Sequence, residues 1–225
     1  MNNASPPKIV QKAFLINIFG KRGSGKTTLT RGQIESFPGP VVVIDVLGNF
    51  NNLEYIQLTS VAETIKNIEY YAKNYKKEDL QKVIVLKPSD PNVAIDYISA
   101  ALWESWGGTL VIDEADAFDL KDAPCFDQLI RYGRNRYVNI VTGCRRPAEI
   151  PRSITAGANK VLIFQTQEPR DVEYFEKTLL GERAEELMNI EQFHGIYIDY
   201  DQRTTGHFKI DLDGKILILN TERLT

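Results

Sequence analysis

Cysteine and histidine are scarce in this chain of 225 residues, which has two of each. Cys125 and Cys144 do not stand in metal-ligand spacing with His194 and His207, and this pattern disfavours a structural zinc site. So few cysteines also favour a reducing compartment over a disulfide-stabilised secreted protein. A chain of this length can bury about 70% of the surface that its unfolded form exposes, so it can fold without either kind of cross-link.

Long hydrophobic runs are also missing from the sequence. No stretch of about 18 apolar residues occurs, which predicts that the chain does not span a membrane. Residues 1–12 are polar, contain Pro6 and Pro7, and lack the apolar centre of a signal peptide. We therefore expect a flexible N-terminal lead-in to a cytoplasmic domain.

An excess of positive charge is absent as well. Lysine and arginine number 27 against 30 aspartates and glutamates, so the formal net charge is −3, and any nucleic-acid contact has to be local. The charges are nevertheless unevenly distributed. Arginines are concentrated between Arg131 and Arg152, whereas acids dominate Glu168–Glu191. This asymmetry predicts a basic face and an acidic face, consistent with a subunit interface as well as with ordinary solvated surface.

Short apolar segments alternate with longer helical segments along most of the chain. The predicted strands are Phe14–Phe19, Val41–Leu47, Val83–Leu86, Thr109–Ile112, Asn139–Thr142 and Val161–Gln165. The predicted helices are Thr27–Phe37, Val61–Tyr75, Val93–Trp106, Cys125–Arg136 and Glu173–Leu180. Strands that are apolar on both faces are typical of a sheet covered by helices on both sides. The pattern predicts an α/β fold with a central, mostly parallel sheet.

The end of the chain has a different pattern. Three strand-like segments, Ile196–Tyr200, His207–Leu212 and Lys215–Leu219, follow one another without helices between them. Asp213-Gly214 is a two-residue hairpin signal between the last two. We expect a core over residues 13–194 and a C-terminal antiparallel β-hairpin extension of the same domain over residues 195–225.

The segment that joins the first predicted strand to the first predicted helix has the pattern of a phosphate-binding loop, or P-loop. Its glycines let the backbone curl so that successive N–H groups face phosphate oxygens, and the helix that follows adds partial positive charge. In this pattern Lys26 contacts the β- and γ-phosphates and the Thr27 hydroxyl binds Mg²⁺. The sequence therefore predicts ATP and Mg²⁺ as ligands. The predicted nucleotide-binding residues are Gly20, Lys21, Arg22, Gly23, Ser24, Gly25, Lys26, Thr27 and Thr28.

Two adjacent acids follow the predicted strand Thr109–Ile112. In P-loop ATPases an aspartate at this position holds Mg²⁺, and we assign that role to Asp113 together with Thr27. A neighbouring glutamate can orient and deprotonate the attacking water, and we assign that catalytic role to Glu114. The second acid favours ATP hydrolysis over passive nucleotide binding.

Two arginines on the predicted helix Cys125–Arg136 are further catalytic candidates. Arg131 and Arg134 are three residues apart, so both can point the same way. An arginine presented to the γ-phosphate of a neighbouring subunit would offset the charge of the transition state. We therefore predict that one of them completes the site of another copy of the chain.

The order of these segments resembles the HerA/FtsK superfamily of ring-forming, DNA-pumping ATPases. The small size is typical of the genome-packaging ATPases of viruses and phages with internal membranes, which contain little more than the motor domain. The second-strand Asp-x-x-Gly motif and the later Arg-Arg-Pro are more specific together than the generic phosphate loop. The segments that carry the resemblance, which spans about residues 13–167, are Gly20–Thr27, Val43–Phe50, Leu110–Glu114, Arg131–Arg134 and Thr142–Pro147.

The chain departs from this family at two positions near the expected site. The family usually has a glutamine, as a γ-phosphate sensor, where this chain has Arg145, and often an acid where Asn49 stands. An arginine can contact phosphate but cannot accept a hydrogen bond from the lytic water, so the sensor role of Arg145 is left open.

The resemblance implies a RecA-like P-loop NTPase that acts as a homo-oligomeric ring, commonly a hexamer, with ATP between subunits. It implies a translocase that pumps double-stranded DNA through the centre of the ring, here the genome-packaging motor of a virus or phage. Capsid or virion-membrane proteins at the packaging vertex are expected partners. Ala117–Pro124, with Lys121, and Arg146–Arg152 are candidate DNA-contacting loops, whose contacts should be to phosphates and sensitive to salt.

Two alternatives remain open at the level of the sequence. A nucleotide-dependent assembly or secretion factor would share the same core without translocating DNA, although such proteins usually carry a membrane span. A small-molecule kinase would need an acceptor pocket and a lid, and it would not need two acids after the strand.

Overall fold

Eleven strands form a single sheet in the computed structural model, which describes residues 12–52, 54–75, 77, 80–119 and 122–224. The strands are β1 Leu15–Phe19, β2 Val41–Ile44, β3 Ile56–Leu58, β4 Val83–Leu86, β5 Gly108–Ile112, β6 Val138–Cys144, β7 Lys160–Phe164, β8 His194–Asp199, β9 Thr204–Ile210, β10 Ile216–Ile218 and β11 Glu222–Arg223. The α-helices are α1 Lys26–Gln33, α2 Val61–Asn74, α3 Pro91–Ser105, α4 Pro124–Tyr132, α5 Arg152–Ala156 and α6 Pro169–Phe175.

The spatial order of the strands is β10-β9-β8-β7-β1-β6-β5-β2-β4-β3, and β11 also pairs with β9. Strands β7 to β3 in this order are parallel, while β7, β8, β9 and β10 pair in antiparallel fashion. The C-terminal strands therefore extend the same sheet beyond β7. The predicted α/β architecture, with a mostly parallel sheet and an antiparallel C-terminal part, is confirmed.

The two faces of the sheet are buried in two separate hydrophobic clusters. Alternation along β2 shows this division, since Val42 and Ile44 belong to one cluster and Val41 and Val43 to the other. Helices α2, α3 and α4 contribute to the larger cluster, while α1 packs in the smaller one through Leu29. Burial on both faces explains why the sequence of these strands is apolar throughout rather than alternating.

Several predicted bounds differ from the observed ones for local reasons. Strand β2 ends at Ile44 because the Asp45 carboxylate accepts hydrogen bonds from the backbone N–H groups of Asn49 and Phe50, at 2.9 Å each, and so forms a turn. The predicted helix Cys125–Arg136 is α-helical only to Tyr132 and continues as a 3₁₀ turn over Gly133–Arg136. Strands β3 and β11 and helix α5 were not predicted, because each has only two to five residues.

Two helices begin at side chains that cap their first turn. Ser60 accepts a hydrogen bond from the N–H of Glu63 at the start of α2, and Asp90 accepts one from Val93 at the start of α3. The predicted Asp213-Gly214 turn joins β9 to β10, with Gly214 at a φ of 77°. Residues 1–11 and the predicted DNA-contacting Lys121 lie outside the described part of the chain. Within the part that is described, no helix is both long and apolar enough to cross a lipid bilayer.

Candidate active site

Three neighbouring strands bring the predicted site residues together. The phosphate loop follows β1, the acidic pair follows β5, and Arg145 follows β6, which lies between β1 and β5 in the sheet. Since parallel strands end at the same edge of a sheet, all three segments meet at its carboxyl edge. The sequence separates these segments widely, and the strand order alone makes them neighbours.

The phosphate loop has the backbone conformations that only glycine tolerates well. Gly20 has a φ of 149°, and a Cβ there would lie 2.6 Å from Ser24 Oγ and 2.8 Å from Phe164 Cβ. Gly25, which directly precedes α1, has a φ of 120°, and a Cβ there would lie 2.9 Å from the Phe193 ring. Both positions combine a positive φ with close packing, so neither accepts a side chain.

Lys26 is held inside this loop. Its Nζ donates hydrogen bonds to the carbonyl oxygens of Gly20, at 2.8 Å, and Lys21, at 3.3 Å, and the residue is only 4% exposed. Burial lowers the pKa of Lys26, while the nearby Glu114 and Asp113 carboxylates oppose that shift. The buried Ser24 Oγ has no hydrogen-bond partner among the described residues. A buried cation and an unsatisfied hydroxyl in one curled loop fit an anionic ligand such as a phosphate group.

Asp113 lies directly across from the start of α1. Its Oδ2 accepts hydrogen bonds from Asn49 Nδ2 at 3.0 Å and from Thr27 Oγ1 at 3.4 Å. Burial raises the pKa of Asp113, and the Asn49 hydrogen bond and the Lys26 charge act in the opposite direction. A hydroxyl and a carboxylate at this separation, both oxygen donors, fit a Mg²⁺ site. Asp45 fixes the turn that carries Asn49, and its negative charge contributes to the raised pKa of Asp113.

Glu114 stands at the rim of the loop in a constrained conformation. Its φ of 57° is unusual for a residue with a side chain, and it directs the carboxylate towards the end of β6. Arg145 Nε lies 2.7 Å from Glu114 Oε2 and 3.5 Å from Asp116 Oδ2, and the Arg145 N–H donates to Asp116 Oδ1 at 3.0 Å. Burial raises the pKa of Glu114, whereas the positive charges of Lys26 and Arg145 lower it.

An open cavity of about 580 Å³ lies beside the phosphate loop and Arg145. Four basic and four acidic side chains line it, so the formal charges of its wall balance. The acids are Asp116, Glu149, Glu168 and Asp171. The four basic residues are Lys21, Arg22, Arg145 and Arg146.

Arg131 and Arg134 lie elsewhere, at the amino edge of the sheet. Both line a second cavity of about 520 Å³ together with Phe14 and Leu15 at the start of β1 and Val138 at the start of β6. Arg131 is in the last turn of α4, where its Nε lies 2.7 Å from Asp127 Oδ2, and Arg134 is in the following 3₁₀ turn. The five residues of β1 span about 16 Å, so neither arginine is placed to contact a nucleotide in the phosphate loop of its own chain.

Two residues that contact the site were not among the predicted site residues. Asp116 pairs with Arg145, which also pairs with Glu114, and the side chain of Gln192, far along the chain, donates to the Gly23 carbonyl oxygen at 2.9 Å. Asp116 stands two residues after Glu114 and could have been found from that proximity. Gln192 belongs to no motif, and only the pairing of β8 with β7 brings it to the loop.

Comparison with solved structures finds proteins of the same fold, whereas comparison of sequences finds no match. No family model matches the chain, and no curated protein sequence matches it. Among solved structures, the genome packaging NTPase B204 of Sulfolobus turreted icosahedral virus 2 in complex with AMPPCP superposes with a TM-score of 0.67. That match has 17% identity and covers 88% of this chain and 97% of B204.

Two further structures show the same likeness. B204 of the same virus in complex with sulfate has a TM-score of 0.68 at 18% identity, over 88% of this chain and 96% of B204. The pCW3 conjugation coupling protein TcpA in monomer form with ATPgS has a TM-score of 0.50 at 15% identity, over 83% of this chain and 57% of TcpA. This chain therefore has the fold of these proteins.

Proposed function

We propose that this protein binds ATP with Mg²⁺ and hydrolyses it at the carboxyl edge of the sheet. The observation that carries the proposal is the convergence of Lys26, Asp113 and Glu114 around a curled glycine loop, although the three come from two distant segments. The fold shared with an NTPase crystallised with AMPPCP supports it. Neither a passive binder nor a structural loop needs a second acid in this position.

Each residue has a distinct part in the proposed reaction. Lys26 would leave its carbonyl partners, Gly20 and Lys21, to contact the β- and γ-phosphates, and the loop N–H groups would hold their oxygens. Thr27 and Asp113 would hold Mg²⁺, which would offset the negative charge of the phosphate groups. Glu114 would accept the proton of the attacking water, and Arg145, which pairs with Glu114, would contact the γ-phosphate.

We further propose that hydrolysis is coupled to the movement of double-stranded DNA during genome packaging in a virus or phage, in the host cytoplasm. Arg131 and Arg134 support a ring, such as a hexamer, because their place at the amino edge suits contact with the nucleotide of another subunit. The sequence resemblance to packaging ATPases and the fold shared with B204 also support this role. Capsid or vertex proteins would be the partners of the ring.

The test of this function is ATP hydrolysis by the purified protein at low salt, with and without long double-stranded DNA. We expect DNA to stimulate hydrolysis and the stimulation to fade as salt rises, because phosphate contacts release counterions. Steady hydrolysis that is indifferent to DNA would instead indicate a nucleotide-dependent assembly or secretion factor. Transfer of phosphate to a small molecule without net hydrolysis would indicate a kinase.

Arg145 offers a separate test at the position where the resembling family has glutamine. We expect Arg145→Ala to lower kcat about 100-fold, because the γ-phosphate loses a charged contact. Arg145→Gln should retain more activity than the alanine variant, since an amide can contact both phosphate and water. Steady-state ATPase assays measure both, with Arg223→Ala, an exposed arginine on β11, as the control. Wild-type turnover in Arg145→Ala would contradict the assignment.

A further inference from the structure

We propose that the C-terminal strands are a working part of the nucleotide site, and that Gln192 is a positioning residue for the phosphate loop. This inference rests on the proposed function, since it concerns how the loop is prepared for ATP. It assigns a role to the part of the chain that follows residues 13–167, the range of the sequence resemblance to packaging ATPases. Three contacts between this part and the loop or α1 carry it.

The first contact is the hydrogen bond from Gln192 Nε2 to the Gly23 carbonyl oxygen, at 2.9 Å. The N–H of the same peptide group belongs to Ser24 and donates a hydrogen bond to the Lys21 carbonyl oxygen across the loop, at 3.2 Å. Because a peptide group is planar and trans, its carbonyl and N–H point in opposite directions. Gln192 thus holds the carbonyl outward, while the N–H stays directed into the loop.

This restraint acts at a position where the backbone turns easily. Gly23 has a φ of 75°, and a Cβ there would meet no atom within 4 Å, so this peptide is held by its two hydrogen bonds, to Gln192 and to Lys21, and not by packing. A flipped peptide would point the Gly23 carbonyl oxygen at the phosphate site, and its negative end would repel the nucleotide. The Gln192 hydrogen bond, together with that of Ser24 to Lys21, disfavours this conformation in the ligand-free protein.

The second contact is made by Phe193, the next residue. Its φ is 63°, a conformation uncommon for an aromatic residue and one that carries a conformational cost. The ring packs against Gly25 at the start of α1, beside the side chain of Ile210, and the Ile210 N–H donates to the Phe193 carbonyl oxygen at 2.9 Å. The end of β9 therefore keeps this turn against the loop and so places Gln192.

The third contact lies two turns further along α1. The turn between β9 and β10 touches the helix so closely that a Cβ on Gly32 would lie 2.0 Å from the Asp213 carbonyl oxygen. Gln33 Nε2 donates to the Gly214 carbonyl oxygen at 3.2 Å. The C-terminal strands thus contact the phosphate loop, the start of α1 and its end, and they hold the loop and the helix as one unit.

The experiment compares Gln192→Ala, Gln192→Glu and the control Gln202→Ala. Glutamate keeps the size of glutamine but, when ionised, cannot donate to the Gly23 carbonyl oxygen. Gln202 is equally exposed in the turn between β8 and β9, at the other end of these strands. Kd for ATP with Mg²⁺, KM and kcat for hydrolysis, and the thermal midpoint without nucleotide are measured for each.

We expect both Gln192 variants to raise Kd and KM about threefold to tenfold, in line with the loss of one hydrogen bond. Their kcat should stay within about twofold of wild type, because Gln192 does not face the reacting groups. The thermal midpoint should stay within about 2 °C, as expected for an exposed side chain. Gln202→Ala should match wild type in every measurement.

Hydrogen exchange of the loop peptide without nucleotide gives a second readout that does not depend on binding. It should become faster in both Gln192 variants and not in the control, because the Gly23–Ser24 peptide is released. Unchanged exchange and unchanged Kd in the Gln192 variants would overturn the inference, as would a fall in thermal midpoint with kcat and KM altered together. Failure of the wild-type protein to bind ATP would instead reject the proposed function.

Discussion

Glu114→Gln is expected to bind ATP as the wild-type protein does and to lose at least about 100-fold in turnover, the contribution typical of a general base. The substitution keeps the shape of the side chain beside Arg145 and Asp116, but the amide cannot take a proton from water. The phosphate loop and the Thr27–Asp113 pair are untouched, so affinity should not change. Equilibrium binding of a fluorescent ATP analogue and steady-state ATPase assays measure the two effects separately.

The control for this variant is Glu104→Gln, an exposed glutamate on α3. It removes the same charge from the chain and should leave both binding and turnover unchanged. Turnover near the wild-type level in Glu114→Gln would show that another group activates the water. Loss of ATP binding would show instead that Glu114 stabilises the phosphate loop through its contact with Arg145.

Substitution of the amino-edge arginines should have the largest effect on the rate. We expect at least one of Arg131→Ala and Arg134→Ala to lower turnover about 1,000-fold or more, the range measured for an arginine supplied to a phosphoryl-transfer site. The reason is their position, since both lie at the edge opposite to the phosphate loop of their own chain. Nucleotide affinity of the isolated subunit should be unchanged.

Mixing two inactive variants tests whether the arginine acts between subunits. A subunit with Arg134→Ala has an intact acidic pair, and a subunit with Glu114→Gln has intact arginines. In a mixed ring, an interface between the two can combine the intact parts, so the mixture should recover part of the activity that each variant lacks. The same mixture is made for Arg131→Ala. Arg223→Ala should be fully active by itself, and no recovery in either mixture would contradict the proposed trans contact.

The sequence predicted those parts of the fold that depend on local patterns. The apolar segments that became β1, β4, β5 and β7 are visible because a strand buried on both faces has few polar residues. The C-terminal hairpin is visible because its turn needs glycine at a positive φ. Short elements such as β3 and β11 were missed, since two or three residues carry no periodicity.

The phosphate loop and the acidic pair are the parts of the candidate site that the sequence alone predicted, because the chemistry of each resides in consecutive residues. Tertiary structure decided the rest. The strand order brings Asn49 to Asp113 and Arg145 to Glu114. It places Arg131 and Arg134 at the opposite edge of the sheet. It also brings Gln192 to the phosphate loop, 169 residues earlier in the chain. Such contacts depend on which strands pair, and pairing follows from the burial of the whole sheet and not from the residues that happen to meet at its edges.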